Sequence, residues 1–142
     1  MRLRLQLLPL IAAALAFAVA CGSSSVADRT ATPSPDAGRI VVPAPIDKLD
    51  LLVRESRPTA YAVHILSGLP SGCAQFNDAR IAGRSGTTIT IEVTNTMPSD
   101  KNVACTAIYG THETTIELGT DFTAGTTYTV HVNDKELSFT AQ

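Results

Sequence analysis

The stretch TTITIEVTN, residues 87–95, constrains the fold more than any other part of the chain. Ile89, Ile91 and Val93 fall on one side of an extended backbone, and Thr88, Thr90, Glu92 and Thr94 on the other. Side chains alternate across a strand with period two, so the pattern asks for one face in a core and one in water, as in an antiparallel sheet. From residue 46 onward apolar residues nowhere recur at helical spacing over ten positions. Leu49, Leu51 and Val53 alternate instead, as do Tyr61, Val63 and Ile65. Residues 114–118 give another short strand. YTVHV and ELSFT place Tyr128, Val130, Val132, Leu137 and Phe139 inward around Asn133-Asp134-Lys135, residue types that tolerate hairpin turns. Two segments read less well. Asn77 and Asp78 interrupt residues 73–82, and VVPAP, 41–45, reads as a lead-in or edge because proline cannot donate to a ladder. About seven short strands, with turn signals every 8 to 12 residues or so, make an all-β sandwich of Greek-key type.

The N-terminus obeys different rules. Arg2 and Arg4 precede a charge-free apolar run over residues 5–20, the form of a signal peptide and shorter than the roughly 20 residues a spanning helix needs. Ala18-Val19-Ala20-Cys21 resembles the lipobox of bacterial lipoproteins, with Ala18 where leucine is commoner. The resemblance implies cleavage before Cys21 and diacylation of its sulfur, and paired acyl chains give stable membrane anchoring. An ordinary signal peptide cleaved near Ala20, and an uncleaved anchor, are the alternatives. Residues 22–38, GSSSVADRTATPSPDAG, are nearly empty of large apolar side chains and read as a flexible tether. The expected organisation is a signal peptide over 1–20, a tether with the lipidated Cys21 over 21–39, and one domain over 40–142. Setting Cys21 aside leaves Cys73 and Cys105, which in an oxidising compartment are expected to pair, two separate thiols being the alternative.

FTAGTTYTVHV, residues 122–132, resembles the segment entering the penultimate strand of fibronectin type III and related immunoglobulin-like domains. Gly125, Thr126, Tyr128, Val130 and Val132 match that pattern, while Phe122 and Ala124 depart from it. The resemblance implies an immunoglobulin-like antiparallel sandwich in which Tyr128 forms a tyrosine corner, its hydroxyl bonded to upstream backbone. Antibody-type domains carry a buried tryptophan, and this chain has none.

Motifs for catalysis are missing: there is no G-x-S-x-G, H-E-x-x-H, P-loop or C-x-x-C. His64, His112 and His131 are the only histidines, and His64 and His131 fall on solvent-facing strand positions, in strands expected in different sheets. The acidic residues are too scattered for a calcium cage. No catalytic residue, metal or cofactor is expected. Removing residues 1–20 takes two of eleven basic residues and none of thirteen acidic ones, so the balance becomes 9 − 13 = −4. That charge favours neither nucleic acid nor anionic headgroups, and the domain is expected to stand off the bilayer. Two proline-bearing loops, residues 67–72 and 94–104, run into the cysteines, which makes Leu69, Pro70, Met97 and Pro98 candidate binding residues, with Tyr109 as a further member of one exposed apolar patch. The expected function is a non-enzymatic, lipid-anchored interaction module at the cell envelope, facing periplasm or exterior, with membrane lipid and an unknown envelope ligand as partners. A secreted hydrolase inhibitor presenting a braced loop, and a small metal carrier or enzyme, are the alternatives.

Overall fold

Eight strands make up the computed structural model, which describes residues 38–142: β1 (Arg39–Pro43), β2 (Ile46–Arg54), β3 (Ala60–Leu69), β4 (Gln75–Ser85), β5 (Thr88–Pro98), β6 (Gly110–Gly119), β7 (Thr127–Val132) and β8 (Lys135–Thr140). The expected leader, Cys21 and the tether up to residue 37 lie outside the described residues. No helix occurs among those described. The strands form two sheets, one of three strands in the order β2-β3-β6 and one of five built on β5. All pairings are antiparallel except that of β5 with β7. The fold is therefore the expected all-β sandwich, with eight strands rather than about seven.

Alternation turns into burial where it was clearest. Ile89, Ile91 and Val93 of β5 meet Tyr61, Val63 and Ile65 of β3, and Val130, Val132 and Phe139 complete the same cluster. Each such aliphatic side chain removed from water contributes about 1.5 to 3 kcal/mol. Strand β4 conceals its pattern because of a bulge. The register slips between Phe76 and Asp78, leaving Asn77 over, so the inward residues Phe76, Ala79 and Ile81 are not evenly spaced by two. One extra residue in a strand inverts the alternation beyond it. Asn77 is used rather than wasted: its Nδ2 donates to Thr94 Oγ1 at 3.0 Å.

Strand β5 pairs with β4 along its length, so β7, at residues 88–91, and β1, at residues 94–98, must share its other edge. Between them the ladder would fail at Val93. Asn133 closes it. With φ of +50°, a left-handed conformation that asparagine tolerates, its Oδ1 accepts the Val93 N–H at 3.1 Å while its Nδ2 donates to the carbonyls of Val93 and Ala44 at 2.8 and 2.7 Å. The hairpin residue read as a turn former is also the splice between two strands. Beyond it the chain crosses from β1 to β2 through Ala44 and Pro45.

Arg39 opens β1, although the sequence placed it in the tether. Its Nε donates to Thr96 Oγ1 at 2.9 Å, and its Nη2 to the carbonyls of Cys73 and Thr96, each at 2.8 Å. A guanidinium forms such fixed forks readily, and here the fork holds three segments together. The Tyr128 hydroxyl accepts the Thr123 N–H at 3.0 Å, a bond to backbone five residues upstream.

Candidate functional site

The end of the sandwich that receives the chain at Gly38 is built from residues 70–74, between β3 and β4, and residues 99–109, between β5 and β6. Cys73 and Cys105 are bridged there, with Cα atoms 5.4 Å apart. A backbone hydrogen bond, Gly72 N–H to Thr106 carbonyl at 2.9 Å, runs beside the disulfide. A Cβ on Gly72 would sit 2.0 Å from Thr106 Oγ1, so glycine is what lets the two segments approach. Asp100 caps its own turn by accepting the Asn102 N–H at 2.8 Å. At the far side the tip of Tyr109 lies over Gly68, and its hydroxyl donates to Asp47 Oδ1 at 2.8 Å. That carboxylate, together with lesser desolvation, holds the phenol above the ordinary tyrosine pKa.

All eleven residues of 99–109 are exposed. Within them Val103, Ile108 and Tyr109 expose 46%, 68% and 54% of their surface. Of the five candidate binding residues, Tyr109 and Pro70 are exposed, whereas Leu69, Met97 and Pro98 are half-buried. Leu69 faces Gly110 across β3 and β6, and Met97 faces Ile40 across β5 and β1, so the five do not all reach the surface. Val103, Ile108 and Ile40 were missed. For Val103 and Ile108 the signal was present in VACTAIY, an apolar run around a cysteine, but such a run reads as a strand until the staple is seen to keep it irregular.

The histidines are dispersed. His64 lies on β3 between Asp50 and Glu113, each 3.7 Å away, and the Lys48 ammonium beside Asp50 holds that carboxyl below the usual range. His131 lies in the other sheet, 3.8 Å from Glu136. His112 stacks on Phe76, with centroids 3.8 Å apart at 17°. No group of three or more His, Cys, Asp or Glu that could hold a metal ion occurs among the described residues. A groove of about 770 Å³ runs past Val41, Pro43, Glu92 and Asp134 where Asn133 splices the sheet. Its Glu92 is already paired with Arg80.

Residues 63–141 match the model of the ORF11 beta-sandwich domain. The chain belongs to this family. The match runs from β3 through β8 and takes in Cys73, Cys105, the whole of 99–109 and Asn133, while β1 and β2 precede it. No curated protein matches the chain. No solved structure matches it either.

Proposed function

We propose that this member of the ORF11 beta-sandwich family is a lipoprotein, acylated at Cys21 and held at the outer side of a membrane, where the sandwich works without catalysis as an interaction module. The Cys73–Cys105 bridge carries the reading, because stable disulfides belong to oxidising compartments and the third cysteine is then the one free for a lipid. The stapled end is the contact face. It presents exposed apolar side chains on a backbone that is already ordered, which lowers the entropy cost of binding.

Growth of the producing cell with a clickable palmitate analogue tests the anchor. Label is expected on the wild-type chain and absent from Cys21→Ser, which should leave the membrane fraction. Equal labelling of both, or none of either, removes the reading. Cross-linking of the wild-type chain in the envelope tests the interaction, an adduct with an envelope component being expected.

A hydrolase inhibitor is a second reading, favoured by a single braced, fully exposed loop of eleven residues. It calls for slow cleavage and inhibition when the purified chain is titrated into serine and cysteine proteases.

A further inference from the structure

We infer that residues 99–109 are a membrane-docking loop, whose Val103, Ile108 and Tyr109 enter the interfacial layer of the bilayer; this rests on the lipid-anchored reading above. Seven large apolar side chains are strongly exposed among the described residues. Five of them, Ile40, Val41, Val103, Ile108 and Tyr109, belong to β1 and this loop, and only Leu52 and Val53 lie elsewhere, on β2. The chain arrives at the same place. The Gly38 carbonyl accepts both the N–H and the hydroxyl of Ser99, at 2.8 and 2.9 Å, so the incoming segment is pinned to the base of the loop.

Seventeen residues, 22–38, separate Cys21 from that point, and a chain of that length spans at most about 60 Å. Among apolar phases, the bilayer is therefore the one the loop meets at the highest local concentration. A few aliphatic side chains with a tyrosine suit the membrane interface, where a ring can bury its body and keep its hydroxyl wet.

Charge decides how docking works. Lys101 is the one cation in the loop, beside Asp100, and the chain after Cys21 carries a net −4. Anionic headgroups offer it no attraction, so insertion is apolar and insensitive to salt, unlike the docking of a polybasic segment. The acidic balance that argued for a domain standing off the bilayer excludes only the electrostatic route.

The chain contains no tryptophan, so Ile108→Trp and Val103→Trp each supply a single emitter. Each acylated full-length variant, checked for its disulfide and its melting temperature, is reconstituted in phosphatidylcholine vesicles in which part of the lipid carries brominated acyl chains. Emission should shift to the blue and be quenched by bromine, equally at low and high salt, while Leu52→Trp keeps the emission of a solvated indole. Adding Ile108→Asp to the Val103→Trp chain should move the docking equilibrium, read from the quenched fraction, about tenfold or more toward the undocked loop, the change expected for one buried aliphatic side chain. Vesicle-bound protein with unquenched, solvated emission at both 103 and 108 overturns the docking loop and leaves the anchor intact. A shift in native envelope vesicles but not in pure lipid assigns the loop to a protein partner and overturns it too. A chain that never acquires acyl groups removes the anchor and this inference with it.

Discussion

Where residues 120–126 meet the C-terminus, Tyr61, Phe122, Tyr128 and Phe139 pack with ring centroids 4.8 to 5.8 Å apart, and the Tyr61 hydroxyl accepts the Gln142 N–H at 2.7 Å. Where residues 70–74 meet 99–109, the structure relies on a disulfide, the Arg39 fork and the His112–Phe76 stack. The largest fully buried side chain there is polar: Asn95 donates to the Gly68 carbonyl at 2.8 Å, and its Oδ1 finds no partner among the described residues. One end spends its large apolar side chains on its own core. The other is held by covalent and polar clamps, which frees Val103, Ile108 and Tyr109 to face outward. Stability and exposure of apolar surface are thus separated along one sandwich.

The largest effect should come from breaking the aromatic end. Phe139 touches three rings and is 7% exposed, so Phe139→Ala should cost about 3 to 5 kcal/mol, read from denaturant unfolding. A loss under about 1 kcal/mol would show that the cluster relaxes freely and the contrast between the ends is false. Next comes the staple. Replacing Cys73 and Cys105 together by serine frees a closure of 32 residues' separation, worth about 3 to 4 kcal/mol on the chain-entropy account. The sharper readout is local. Hydrogen exchange should quicken around residues 70–74 and 99–109 while the amides of Thr123 and Gln142, held by Tyr128 and Tyr61, keep their protection. Uniform loss of protection would mean the ends are one cooperative unit.

Much of the five-stranded sheet was legible, because Ile89 to Val93 and Tyr128 to Val132 sit in regular strands where period two maps directly onto burial. Cys73 and Cys105 could be paired from the count alone once Cys21 was set aside. The rest depends on contacts between residues distant in sequence. Asn77 disrupts the alternation of β4, yet it is the surplus residue of a bulge opposite β5. Arg39 looked like tether because its three acceptors lie 34 and 57 residues away. At the candidate site, Tyr109 was legible as a member of an apolar patch, but its partner Asp47 and its seat over Gly68 were not. Ile108 reads as core in any hydropathy pattern, and only the staple and the glycine approach at Gly72 explain why it stays outside.

The smallest expected effect tests how the loop is tied at its last residue. Tyr109 donates to Asp47 Oδ1, and the carboxylate disfavours phenolate, so the folded pKa lies above the ordinary tyrosine value. The folded state then keeps a proton that the unfolded chain has begun to release. This contribution is complete below the unfolded tyrosine pKa of about 10 and is lost as the pH rises through the folded value. Because the pair is exposed, water screens it and the gain in stability is slight. The titration itself is the better measure. In NMR spectra followed through the alkaline range, Asp47→Asn should move the Tyr109 midpoint down. A midpoint indifferent to residue 47 would mean that this bond does not persist in solution. The loop would then be tied by the Cys105 staple, the Thr106 backbone bond and the Ser99 bonds to Gly38, and the clamped end would be looser than the aromatic end by one more contact.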